Sequence, residues 1–241
     1  MGRMEKITPI NSSQIFVIYE PAMFGTFICN LLLQNKKTNK LLSDSQGYNA
    51  HKSEYKDRLK KFHNHRDAMA LLGKNDLEKI NFFKSLSKYN YSVHRLCSYA
   101  FLQLNFDKFF NNYVKIIIRP KTSKLMMYAE RFVQTTKDND YRKQFWAKNF
   151  RNKNIDTVPL YFTHGMAVKE CKKYLQEHSK YLKNYNANKV NDIFFDPDNI
   201  ANFDMLQNLI KNAMSKVNLQ PNKLPLKEVK QFIQINKKFL P

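Results

Sequence analysis

Between Gln14 and Gln34 the chain reads Gln-Ile-Phe-Val-Ile-Tyr-Glu-Pro-Ala-Met-Phe-Gly-Thr-Phe-Ile-Cys-Asn-Leu-Leu-Leu-Gln, and few folds accept that order. Ile15 to Tyr19 is an unbroken β-branched and aromatic run, which suits a strand buried on both faces. Glu20 to Gly25 cannot continue it, because Pro21 removes a ladder donor and Gly25 relaxes the backbone. From Thr26 to Gln34, the residues Phe27, Leu31 and Gln34 share one helical face, with Ile28 and Leu32 beside it. A strand, a tight turn and a helix make a βα unit. The first helical turn aims free N–H groups and the positive end of the dipole at the turn, where an anion can sit. Many such units bind nothing and serve only as core.

The rest of the chain repeats the alternation. Val114 to Ile118 is a second strong strand, ended by Arg119-Pro120. Tyr91 to Leu96 reads as a shorter strand, with Tyr91, Val93 and Arg95 on one face and His94 on the other. Val190 to Phe195 is a third apolar run before Asp196-Pro197-Asp198. Between them the spacing predicts helices over Tyr55 to Leu72 and from Asp76 through Leu86. A long helix runs from Lys124 to about Phe150, capped by Thr122 or Ser123. Met166 to Tyr185 carries Val168, Cys171, Leu175, His178, Leu182 and Tyr185 on one stripe. A helix capped by Asp198 runs to Val217, and a last one starts near Pro225. The expectation is an α/β fold: a three-layer parallel sheet flanked by helices on both faces, with Ile15–Tyr19 and Val114–Ile118 as neighbouring central strands. Residues 1–241 form one domain, with 36–90 and 135–188 as helical insertions around the sheet. Ligands of such sheets bind outside the carboxyl ends of the strands, where the Pro21 to Thr26 turn and Arg119 both fall.

Lys and Arg number 41 against 20 Asp and Glu, a formal charge of +21. Such a field attracts nucleic acid, anionic glycans, nucleotides or lipid head groups. The lysines are spread along the chain and not gathered in a tail, and the richness in Lys, Asn, Ile, Phe and Tyr is also what an AT-rich genome produces. Met1 to Ser13 is polar, unlike a secretory signal, and no apolar stretch reaches membrane-spanning length, so the expected location is cytoplasmic (host cytoplasm if the source is viral). Cys29, Cys97 and Cys171 are far apart and lack zinc spacing. His63-Asn64-His65 does not put both rings on one helical face, so no metal is expected.

Three stretches carry a resemblance. Pro21-Ala22-Met23-Phe24-Gly25-Thr26 resembles a stretched form of the Pro-x-Ser-Gly-Thr turn of sulfotransferases. More closely, it resembles the Pro-x-x-x-Gly turn of the sulfotransferase-like proteins of marine bacteriophages. It is not a Walker A loop, since no Gly-Lys-Ser/Thr follows. Lys115-Ile-Ile-Ile-Arg-Pro-Lys-Thr-Ser-Lys-Leu-Met-Met-Tyr resembles the family's strand that ends in Arg and enters a helix. Val190-Asn-Asp-Ile-Phe-Phe-Asp-Pro, the helix after it and Gln231-Phe-Ile-Gln-Ile-Asn-Lys-Lys-Phe-Leu resemble its closing elements.

The resemblance implies a P-loop-like sulfotransferase fold with a helical C-terminal part. It implies 3′-phosphoadenosine 5′-phosphosulfate as co-substrate and a hydroxyl acceptor, a glycan among the candidates. Pro21, Met23, Phe24, Gly25, Thr26 and Phe27 then hold the 5′-phosphosulfate, and Arg119 holds the 3′-phosphate. The family's Ser falls near Met127, so Ser123 is its substitute. The family carries Lys or Arg just before the Gly; this chain has Ala22, Met23 and Phe24 there, which leaves Lys121 as the replacement. Sulfuryl transfer also requires a base for the acceptor proton. His94 is the first candidate, followed by His63 and His65, then Glu20. Two other readings stand beside this one. The first is a diverged, non-catalytic member that binds a nucleotide or polyanion, and the second is a basic nucleic-acid-binding protein with no nucleotide site.

The charge alone generates one expectation. Heparin or nucleic acid should bind at low salt and be mostly released as salt rises, because each neutralised phosphate or sulfate frees counterions. A binding isotherm at two salt concentrations checks this. Weak binding at low salt would leave the +21 a matter of solubility.

Overall fold

The computed structural model describes residues 8–20, 22–32, 72–86, 91–96, 98–136, 164–188, 190–221, 223–237 and 240. Four strands, β1 (Ser13–Ile18), β2 (Tyr91–Leu96), β3 (Tyr113–Ile118) and β4 (Asp192–Phe195), pair in the order β2-β1-β3-β4. All three pairings are parallel, with Ile15 opposite both Val93 and Val114. Every residue of β1 and β3 is buried, as their unbroken apolar runs require of central strands. β4 lies outside them, and its Phe194 is 45% exposed. The fold is α/β, a parallel sheet flanked by helices.

Side-chain alternation sorts the helices by face. Ser13 points to α6 (Phe203–Lys216), where its hydroxyl donates to the Val217 carbonyl at 2.8 Å. Arg95 reaches Thr26 on the same side, in α1 (Gly25–Leu32). The last helix, α7 (Leu226–Asn236), lays Phe232 flat on Phe27 of α1 with ring centroids 3.6 Å apart. The opposite face carries Gln14, Phe16, His94 and Lys115. Phe83 of α2 (Asp76–Leu86) covers Phe16 there, together with Phe106 of α3 (Phe106–Phe109) and Phe110. Near the sheet's carboxyl end, α4 (Leu125–Thr136) packs along α5 (His164–Lys183), and α5 also meets the 3-10 turn Tyr99–Gln103.

Several local expectations differ from what forms. Thr122 and Ser123 do not cap α4; with Lys124 they form a 3-10 turn that runs into it, and no side chain caps that turn. Asp198 does not cap α6. Asp196 accepts from the Asp198 N–H to open a 3-10 turn over Pro197–Ala201, and Asn202 then caps α6 by accepting from Met205. Pro197 sits at the first position of the second turn, where its fixed φ suits a helical start and leaves Asp196 as the cap. The expected helix over Tyr55 to Leu72 lies outside the described residues, apart from Leu72, and so does the expected α4 extension beyond Thr136.

Two of the buried polar groups, Lys115 and His94, lie level with each other inside the sheet. Lys115 is 4% exposed in the middle of the sheet, beside Phe16. Its Nζ lies 2.9 Å from Asp192 Oδ1, an ion pair without hydrogen-bond alignment, and it donates to the Tyr185 hydroxyl. The Phe106 and Tyr185 rings each stand 5.0 Å from it. Removing one partner of such a pair costs about 3–5 kcal/mol. The other group is His94, fully buried in the middle of β2. Its ring stacks on Phe16 at 4.7 Å, and its Nε2–H donates to Gln14 Oε1 at 2.5 Å.

Burial drives the His94 pKa from 6.5 down to about 3, so the ring is neutral in the native state at ordinary pH. Below the ordinary value the unfolded chain takes up a proton that the native state refuses. Stability is therefore full above about pH 6.5 and falls on acidification toward pH 3, by roughly 1.4 kcal/mol per unit. In His94→Gln the slope of unfolding free energy between pH 6 and 4 should be shallower, whatever its absolute stability. Urea titrations at several pH values check this, and an unchanged slope would show that His94 is not the acid-sensitive group.

Candidate functional site

The chain leaves β1 toward β2 on one side, and leaves β3 toward β4 on the other. The crevice between the carboxyl ends of β1 and β3 is thus the topological switch point, where open α/β sheets take their ligands. The segments bordering it are the turn after Ile18 and the segment after Ile118.

The turn is held from inside. The Met23 N–H donates to the Glu20 carbonyl at 3.3 Å, and Ala22 and Phe24 adopt φ of 71° and 60°. Both are left-handed and neither is glycine, at roughly 1–2 kcal/mol each. The expectation that Gly25 relaxes this turn is corrected. Gly25 is needed for close approach: a Cβ there would meet the Tyr19 ring at 2.1 Å. Phe24 is wedged against Tyr128 and Phe232, at 6.3 and 5.7 Å, and the Arg131 guanidinium sits 3.6 Å from its ring centroid. Burial lowers the Arg131 pKa from 12.5 to about 9, so it stays charged at neutral pH.

Met23, Phe24, Gly25 and Phe27 are consequently buried, and Thr26 is half-buried. Pro21 lies outside the described residues. The Thr26 hydroxyl is 3.0 Å from the Tyr19 hydroxyl and accepts from Arg95 Nη1 at 3.3 Å. Arg95 therefore delivers a guanidinium to the first turn of α1, a position where the local sequence offers no cation. The strand pattern assigned Arg95 only to a face. Its place next to last in a strand paired with β1, opposite Val17, is the signal that points it at the turn.

On the β3 side, Arg119 is exposed and its N–H donates to the Phe195 carbonyl at 2.9 Å. Lys121 is 67% exposed, with Nζ 3.5 Å from Asp196. Ser123 is exposed and Met127 half-buried. Tyr99 joins the two sides. Fully buried, it donates its hydroxyl to the Ile118 carbonyl, and that hydroxyl lies 3.3 Å from Met23 Sδ.

The candidate bases separate clearly. His94 lies in mid-strand, fully buried, neutral and stacked on Phe16. His63 and His65 lie outside the described residues. Glu20 is 0% exposed. Its Oε1 accepts from the Tyr99 N–H at 2.7 Å and from His178 Nδ1 at 2.9 Å, and Tyr174 donates to Oε2 at 3.4 Å. The helical periodicity placed His178 on an apolar stripe and missed this role. The available signal was the stripe itself, since a polar ring on a buried face requires a polar partner.

A groove of about 780 Å³ runs between α4 and α5, lined by Met126, Glu130 and Val168 among others. Lys169, Lys172 and Lys173 face Glu130 and Glu170 there, so its charge is mixed. Among the described residues no group of three His, Cys, Asp or Glu could hold a metal ion, and no helix is long and apolar enough to cross a membrane.

No family model and no curated protein matches the chain. Among solved structures it is similar to the sulfotransferase domain from the curacin biosynthetic pathway, at 14% identity and a TM-score of 0.38. The match covers 92% of this chain and 77% of that one. A likeness of that size carries nothing about activity.

The packing of Tyr19 on Gly25 generates a test. Gly25→Ala should destabilise the protein by about 1–3 kcal/mol, because an aromatic ring and the turn must both move. A drop in urea midpoint is the expected readout. An unchanged midpoint would show that Tyr19 does not lie against the turn.

Proposed function

We propose that this protein is a sulfotransferase-like nucleotide-binding protein that transfers a sulfuryl group from 3′-phosphoadenosine 5′-phosphosulfate to a hydroxyl acceptor, with glycans the first class to try. One observation carries the reading. The turn after β1 and the end of β3, read separately in the sequence as phosphate-binding segments, are linked at the switch point through the Tyr99 hydroxyl. In this reading the backbone from Met23 to Phe27 and the Thr26 hydroxyl hold the 5′-phosphate. Because Met23 and Phe24 are buried, the nucleotide has to approach over Ala22 and Thr26. Arg95 supplies the charge that the turn lacks. Arg119 and Ser123 hold the 3′-phosphate, and Lys121, loosely held by Asp196, is free to swing to the leaving group.

A second reading has its own support. A protein of the same ancestry that binds the nucleotide without transfer accounts for the apolar turn and for Met127 at the position of the family Ser. Binding is common to both readings, and transfer separates them. The mixed charge of the α4–α5 groove does not favour it as a polyanion track.

Adenosine 3′,5′-bisphosphate should raise the melting temperature, since a ligand bound only by the native state adds about 2.7 kcal/mol at a hundredfold excess over its Kd. Arg119→Ala, an exposed position, should remove most of that shift without lowering the melting temperature of the free protein. No shift at millimolar ligand would overturn both readings.

A further inference from the structure

From the pairing of His178 with Glu20 at the carboxyl end of β1, we infer that His178 is the general base that takes the acceptor's proton, with Glu20 as its positioning residue. This rests on the sulfuryl transfer proposed above. Glu20 directly precedes the turn and fixes it through its carbonyl. Its carboxylate, fully buried, can only accept while ionised, so His178 donates through Nδ1–H at 2.9 Å. That fixes the tautomer and leaves Nε2 as the nitrogen with the lone pair.

The surroundings suit a base better than a mere strut. The imidazole lies 4.0 Å from the Tyr174 ring and 6.0 Å from the Tyr181 ring, which fixes its plane. The His178 side chain is 20% exposed while Glu20 is 0% exposed, so the outward partner is the one a solute can meet. Glu20 already accepts from Tyr99, Tyr174 and His178. As Nε2 takes a proton, the buried carboxylate stabilises the imidazolium at short range.

The step balances with the co-substrate already named. The acceptor oxygen forms a bond to sulfur, and the bond from sulfur to the bridging phosphate oxygen breaks. Adenosine 3′,5′-bisphosphate leaves with that electron pair, and the acceptor proton passes to His178 Nε2.

The deciding variant is His178→Asn. An Asn side-chain amide can still donate to Glu20 from near the Nδ1 position, but it has no basic nitrogen. Wild type and variant are incubated with 3′-phosphoadenosine 5′-phosphosulfate and a panel of simple phenols and sugars, and release of adenosine 3′,5′-bisphosphate is followed. The expected result is an unchanged melting temperature and nucleotide shift, a rate lowered by about 10²–10⁴-fold, and partial rescue by added imidazole. Glu20→Gln should lower the rate less, because it still accepts from Nδ1–H but no longer stabilises the imidazolium. If Asn at this position prevents folding, His178→Gln serves the same comparison. Transfer by the Asn or Gln variant at the wild-type rate would overturn the base assignment and leave the proposed function standing. A wild type that gives neither shift nor transfer would overturn the proposed function, and this assignment with it.

Discussion

A carboxylate with no access to water has to be answered by donors, and Glu20 is such a carboxylate at the point where β1 ends. An isolated charge there costs several kcal/mol. Its donors come from two distant segments: the Tyr99 backbone after β2, and Tyr174 and His178 on α5. The segment after β2 and the middle of α5 are thereby drawn over the end of β1. The same residue's carbonyl receives the Met23 N–H, so the geometry of the turn is tied to the same anchor. Tyr99 extends the chain of contacts to Ile118. The carboxyl edge of the sheet is organised outward from one buried negative charge.

The same face carries a buried cation in mid-sheet, level with Phe16 and His94. Lys115 is answered by Asp192 and Tyr185, with aromatic rings around its ammonium. Each of the two buried charged side chains has its own local partners, and neither relies on the other. The formal charge of +21 is a separate matter. It is screened over about 10 Å at ordinary salt and governs long-range encounter with polyanions.

What could be read from the sequence follows from the range of the forces involved. Unbroken apolar runs made β1 and β3 legible, because burial on both faces tolerates nothing else. The helix stripes were legible for the same reason. Caps were less so, since Asp196, Asp198 and Asn202 are all candidate caps within seven residues, and Asp196 and Asn202 are the two that serve. His94 could not be told from a base, because its fate depends on Phe16, Gln14 and Phe83 closing around it. Arg95 and His178 were invisible as site residues. Their partners are 69 and 158 residues away in the chain, and no periodicity encodes a contact of that span.

That range also bears on the meaning of the turn's missing cation. Judged locally, Ala22, Met23 and Phe24 offer an anion nothing but backbone. Yet the fold brings Arg95 to Thr26 and Arg131 to the Phe24 ring. Arg131 keeps its charge at neutral pH, because a pKa of about 9 lies two units above it. The first turn of α1 adds the equivalent of roughly half a charge from its dipole. Left-handed backbone at Ala22 and Phe24 survives because these neighbours over-determine it, with Phe24 clamped between Tyr128, Phe232 and the guanidinium. The two guanidiniums at the turn are therefore brought there by tertiary packing, and Ala22, Met23 and Phe24 read alone do not describe the charges around it.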